Sequence, residues 1–138
     1  MPTDPLWCLI PWQNRPDYTR QAAEDCLSQS ISTRVLLLAQ GTSQADREVI
    51  DNWIDGREDH RVLCWHHNPP LPSLSAAWNR MLRFVWELGG TEALVVNNDV
   101  RIAPQTVQTL QMVLGGERAL FVSAVGVKDG QYEAATAI

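Results

Sequence analysis

Asn97, Asn98 and Asp99 stand together at the end of a short apolar run, Ala93-Leu94-Val95-Val96, and Asp99 is the residue of this chain best placed to hold a cation. The run is too short for a helix and rich in β-branched residues, so it reads as a strand buried on both faces. Polar residues directly after such a strand fall on the carboxyl edge of a parallel sheet, where open α/β folds take their ligands. Val100, Arg101 and Ile102 resume an extended, alternating pattern, and Pro104 then opens a helix. A lone carboxylate between two extended pieces suits a divalent cation pressed against a diphosphate, because hard cations take oxygen ligands and phosphates supply the remainder. Asn-Asn-Asp is also ordinary turn chemistry, and taken alone that reading is the commoner one.

A second group, Cys64, His66 and His67, has ligand chemistry of a softer kind. Alternate residues on a strand plus one neighbour make at most three ligands, with no fourth in sequence, and such isolated sets are mostly incidental. Six tryptophans fall mainly at positions that periodicity assigns to the core. Trp12, at the end of the first apolar run, is the one placed to offer an aromatic face to a ligand at the sheet's carboxyl edge.

The elements that must position these residues alternate. Leu6 to Trp12 reads as a strand, Gln13 to Pro16 as a loop, and Asp17 as the cap of a helix whose Ala22, Ala23, Cys26 and Leu27 face inward while Arg20, Glu24 and Asp25 face solvent. Arg34 to Ala39 is a second buried strand, and Gln40-Gly41-Thr42-Ser43 turns into a helix with Val49, Ile50, Trp53 and Ile54 on one side, ending near Gly56. Val62 to Trp65 is a third strand, and His66 to Pro72 is an irregular loop because three prolines forbid regular hydrogen bonding. Ser73 caps a helix whose Leu74, Ala77, Trp78, Met81, Leu82, Val85 and Leu88 keep the helical period until Gly89-Gly90, with Asn79, Arg80 and Arg83 off the stripe. After the Asn-Asn-Asp strand come a helix from Pro104 to about Leu114, a fifth strand from Ala119 to Val125 and a tight turn at Asp129-Gly130.

Strands alternating with helices across short loops imply parallel crossovers and a three-layer α/β/α sandwich, read as a single domain over residues 1–138. The same topology puts the loop from His66 to Pro72 on the edge that carries Asn14 and Asp99. Composition bounds the partners: 45% hydrophobic and 20% charged residues are globular values, and a net charge of -5 argues against a nucleic-acid binder. Three cysteines without framework spacing, and an N-terminus with neither a secretory leader nor a membrane span, point to a reducing cytoplasm. The dinucleotide glycine fingerprint, the phosphate loop, the nucleophile elbow and the redox Cys-x-x-Cys are all missing.

Several segments, in order, carry a resemblance. Asn14-Arg15, Asp25-Cys26-Leu27-Ser28-Gln29-Ser30, Ala39 to Ser43, Ser75 to Arg80, and Leu94 to Asp99 with Pro104 together resemble the amino-terminal half of inverting GT-A-fold glycosyltransferases of family 2, which includes rhamnosyltransferase-like enzymes. The metal motif is spelled asparagine-x-aspartate here. The resemblance implies a mostly parallel GT-A-like sheet with a nucleotide-diphosphate sugar lying over the carboxyl ends of the first, second and fourth strands. It implies a Mg2+ or Mn2+ ion on Asp99, with Asn97 as amide partner, and substrate contacts from Asn14, Arg15, Gln40, Asn79, Arg80 and Asn98. Each of these has a plainer reading as a solvated helix or turn residue.

Two departures from the family pattern matter. Ala39 and Gln40 stand where the family keeps an aspartate for the nucleobase. The family's general base comes from the half beyond the metal motif, and here the sequence stops at Ile138, leaving Glu133 as the single internal candidate to deprotonate an acceptor. The expectation is therefore a nucleotide-sugar-binding transferase domain, truncated or complete, with inverting transfer of the sugar as its candidate reaction. The rival is a non-catalytic binding or assembly module on the same fold; the sugar, nucleobase, acceptor and oligomeric state stay open.

Overall fold

The computed structural model describes residues 5–116. Seven residues, Leu6–Trp12, form β1, and alternation along it sorts its side chains between two cores. Cys8, Ile10 and Trp12 point to one face of the sheet, Trp7 and Leu9 to the other. Thr33–Gln40 forms β2 and repeats the division, Val35, Leu37 and Ala39 against Leu36 and Leu38. A strand buried on both faces needs a helix on each side. On the first face lie α1 (Pro16–Leu27), through Ala22, Ala23, Cys26 and Leu27, and α2 (Gln44–Asp55), through Ile50. On the second lies α3 (Leu74–Glu87), through Ala77, Met81 and Val85. The remaining elements are β3 (Val62–His67), β4 (Ala93–Val95) and α4 (Thr106–Gly116).

All strand pairs are parallel and the order is β3-β2-β1-β4. Two successive crossovers step one way from β1 to β3, and the third returns across the sheet to the far side of β1. Right-handed crossovers put helices that step in opposite directions on opposite faces, as α1 and α2 against α3 are found. The order reverses between β2 and β4 at β1, so the carboxyl ends of β1 and β4 flank the switch point where such sheets open a ligand crevice.

The α/β sandwich expected from the alternation is thus present, and several local readings are corrected. The N-cap of α1 is Arg15 rather than Asp17, with Pro16 in the first helical position. β3 runs two residues further than expected, through His66 and His67, because β2 offers Ala39 and Gln40 as pairing partners. β4 is half-buried, not fully buried, because it pairs only with β1 among the described residues. The segment Val100 to Ile102 is irregular, and α4 begins at Thr106 and includes Gly115 and Gly116. Trp86 is 47% exposed, outside the core. The expected fifth strand, the Asp129-Gly130 turn and Glu133 lie outside the described residues. No helix among the described residues is long and apolar enough to cross a membrane.

Candidate functional site

A cleft of about 310 Å³ opens at the carboxyl edge of the sheet, at the switch point. Trp12, Gln13 and Asn14 line it from the end of β1, Gln40 from the end of β2, Leu74 from the start of α3, and Asn97, Asn98 and Asp99 from the end of β4. Residues 84 positions apart in sequence meet here: the Asn98 Nδ2 donates to the Asn14 carbonyl oxygen at 3.1 Å.

The loop after β1 is held by a compact set of bonds. Arg15 has left-handed backbone (φ 58), a conformation that costs a non-glycine residue on the order of 1 kcal/mol and persists where surroundings over-determine it. Its carbonyl oxygen accepts from both the backbone N–H and the hydroxyl of Thr19, each at 3.0 Å. Thr19 is fully buried, and its Oγ1 also accepts from Asn98 Nδ2 at 3.1 Å. Asn98 therefore ties the end of β4 to the turn that starts α1. The Arg15 side chain itself turns outward. Its guanidinium forks onto the Asp17 carboxylate at 3.2 and 3.0 Å and lies 3.8 Å over the Tyr18 ring. That hydrogen bond from Arg15 holds the Asp17 carboxyl below its ordinary range.

The segment that follows Asp99 is clasped by the end of α1. Asp25 accepts from Arg101 Nε at 2.8 Å, from Arg101 Nη2 at 3.2 Å and from the Ile102 backbone N–H at 3.0 Å. Gln29 donates to the Ala103 carbonyl at 2.9 Å and accepts from the Val107 N–H at 3.0 Å, so one amide fixes the entry of α4. The Ser30 N–H donates to the Pro104 carbonyl at 2.7 Å. Asp25, expected to face solvent, is instead the anchor of this loop.

Gln40 is committed to the third loop. Its Oε1 accepts from the Leu71 N–H at 3.2 Å, and the Gly41 N–H donates to the His67 carbonyl at 2.8 Å. The loop beyond His67 thus sits at the carboxyl edge, as parallel crossovers require. Trp12 is only 3% exposed and offers the cleft little of its ring.

Asp99 differs from these residues: it is exposed, lines the cleft, and makes no side-chain hydrogen bond or ion pair among the described residues. The same holds for the Asn97 carboxamide. A free carboxylate beside a free amide oxygen is a donor set for a hard, oxygen-seeking cation of the Mg2+ or Mn2+ type. Of the other residues singled out from sequence, Asn14, Gln40 and Asn98 join the cleft, whereas Arg15, Asn79 and Arg80 do not line it, the last two being exposed on α3. Gln13, Leu74, Thr19 and Asp25 were missed. Nothing local marks Thr19 or Asp25, because their partners lie up to 79 residues away.

No family model matches this sequence, and no curated protein sequence matches it. Solved structures do. The mannosyltransferase PcManGT from Pyrobaculum calidifontis, in complex with GDP-Man and Mn2+, superposes with a TM-score of 0.64 at 14% identity, over 79% of this chain and 32% of its own. S. aureus TarS 1-349 in complex with UDP has a TM-score of 0.64 at 11% identity, over 83% of this chain and 33% of that one. Both neighbours are glycosyltransferases in fold, and the present chain, an all-parallel four-stranded sheet flanked by helices, shares that fold. It spans about a third of the length of each.

Proposed function

We propose that this chain is a glycosyltransferase-type domain that binds a nucleotide-diphosphate sugar with a divalent cation in the cleft between the ends of β1 and β4. The observation that carries the reading is the unpaired Asp99 carboxylate, held at the switch point by the Asp25 and Asn98 contacts. The neighbours' printed ligands, GDP-Man with Mn2+ and UDP, support the same ligand class. Asp99 and Asn97 would hold Mg2+ or Mn2+, and the ion would supply positive charge where the leaving diphosphate gains negative charge.

The chain's own residues do the rest. Asn14 and Gln13 border the cleft with amide groups that suit a ribose or phosphate oxygen, and Gln40, whose Oε1 accepts from Leu71, keeps its amide N–H donors for a ligand. Asn98 positions, spending its amide donors on Asn14 and Thr19. Asn79 and Arg80, on the outer surface of α3, belong to the reading as contacts to the parts of the substrate that extend beyond the cleft.

Inverting transfer also needs a base for the acceptor hydroxyl. Asp99 is the only carboxylate among the described residues that line the cleft, and a carboxylate neutralising a cation cannot also take the proton. On this reading the described residues serve donor binding, and transfer requires a base from elsewhere: Glu133, a carboxyl-terminal half of the domain, or another chain. A second reading, a binding or assembly module without transfer, is favoured by this single-carboxylate lining. Calorimetric titration of GDP and UDP with and without Mn2+ tests the common part. Asp99→Asn should abolish the Mn2+-dependent affinity while the fold persists, since the side chain is exposed. Unchanged Mn2+-dependent binding in that variant would refute the site. Transfer that Glu133→Gln removes would decide for the enzyme over the module.

A further inference from the structure

On the α2 face of the sheet, outside the cleft lining, three potential ligands of different chemistry converge. Cys64 and His66 alternate on β3 and so point the same way, and Asp51 reaches them from α2. His67 points elsewhere, its Nδ1 being 2.6 Å from the Pro69 carbonyl oxygen. We propose that Asp51, Cys64 and His66 form a binding site for a borderline-soft divalent transition metal, for which Zn2+ is the best fit.

The Asp51, Cys64 and His66 ligand atoms all lie within 4.8 Å of one another, and His66 Nε2 is 3.5 Å from Asp51 Oδ1. Tetrahedral zinc with bonds of about 2.0–2.3 Å spaces its ligands roughly 3.3–3.8 Å apart. The His66–Asp51 edge already has that length, and the sulfur needs to close by at most roughly 1 Å. One thiolate, one imidazole and one carboxylate suit Zn2+ and leave a fourth position on the exposed His66 side for water or a ligand.

A second observation points at the same place. The Trp12 indole N–H is buried, with the residue 3% exposed, and makes no hydrogen bond of ordinary distance and angle. Trp12, Ala39 and His66 are in register across β1, β2 and β3, with only the small Ala39 between the other two. The indole is close enough to Cys64 to favour its thiolate, the form a metal would create. Without a metal, burial and then the Asp51 charge push the thiol up to about 12. That direction opposes an activated cysteine nucleophile with His66 as base, since such a thiol needs a lowered pKa. Binding would transfer the Cys64 proton to solvent and set one cation against two anions.

The test uses the full chain, stripped with chelator and titrated with Co2+, whose thiolate charge-transfer absorption reports sulfur ligation. One equivalent should bind with that absorption, and one equivalent of Zn2+ should displace it. Cys64→Ser should remove the band, and Asp51→Asn and His66→Gln should each weaken affinity at least about tenfold. His67→Gln and Asp99→Asn should leave it unchanged, which separates this site from the cleft. Should Cys64→Ser fail to fold, His66→Gln, on an exposed side chain, decides alone. Absence of a charge-transfer band in the unaltered chain, its survival in Cys64→Ser, or unaltered affinity in His66→Gln would each overturn the proposal.

Discussion

Replacing Asp25 with alanine should loosen the loop that carries Asp99 without dismantling the sheet. The Asp25 side chain is 15% exposed and accepts three bonds, two from Arg101 and one from the Ile102 backbone N–H. The Arg101 side is 67% exposed, so this ion pair is screened by solvent and contributes the smaller share. The Ile102 N–H is part-buried and bonded to a charged acceptor, an interaction of roughly 1.5–3 kcal/mol whose loss leaves a donor unsatisfied. Asp25→Ala should therefore cost about 2–3 kcal/mol, and Arg101→Ala distinctly less. At about 4 °C per kcal/mol for a chain of this size, the melting temperature should fall by roughly 8–12 °C in the first variant and by clearly less in the second. Amide exchange checks the locality. Ser30 and Val107, whose N–H groups bond across the clasp, should exchange at least about tenfold faster in Asp25→Ala, each 1.4 kcal/mol being a factor of ten, while β2 amides should change far less. Equal losses in the two variants would refute the division between backbone anchor and exposed ion pair.

Gly41→Ala should destabilise by about 1–3 kcal/mol in chemical denaturation, because φ is +57 and an added Cβ would lie 2.8 Å from Pro70 Cγ; an unchanged midpoint would mean that the Pro70 loop yields freely. Thr19→Val keeps the shape but removes a hydroxyl that bonds both the Arg15 carbonyl and Asn98, and should cost roughly 1–2 kcal/mol by thermal or denaturant unfolding. Stability should also fall in alkali. Cys64, with its thiol raised to about 12 from 9.0 mainly by burial, holds its proton more tightly folded than unfolded, so its contribution is complete below pH 9 and is lost as pH rises toward 12. Buried Cys8, raised chiefly by its neighbour Cys26, adds the same sign. The slope of unfolding free energy above pH 9 should reach at most about 1.4 kcal/mol per pH unit for Cys64 and flatten in Cys64→Ala.

Strand and helix identities were legible because they rest on local periodicity. Val-Leu-Leu-Leu at 35–38 must be buried on both faces wherever it goes, and the stripe of Ala77, Met81 and Val85 recurs every four residues in any context. Ser43 and Ser73 announced their helices, since a capping hydroxyl serves an N–H three residues on, at Asp46 and Ala76. Once the elements alternate, parallel pairing with right-handed crossovers leaves few arrangements, and Asn14, Gln40 and Asp99 then share an edge by topology alone. Tertiary structure decided what each residue does there. Asp25 and Asp17 look alike in sequence, yet one anchors the Asp99 loop through a backbone 77 residues away and the other pairs with its neighbour Arg15. His66 and His67 are adjacent, but strand alternation sends one toward Cys64 and Asp51 and the other toward Pro69. Hydrogen bonds and ligand clusters form between residues whose separation in the chain carries no signal, because their geometry exists only after the cores on the two faces of the sheet have packed.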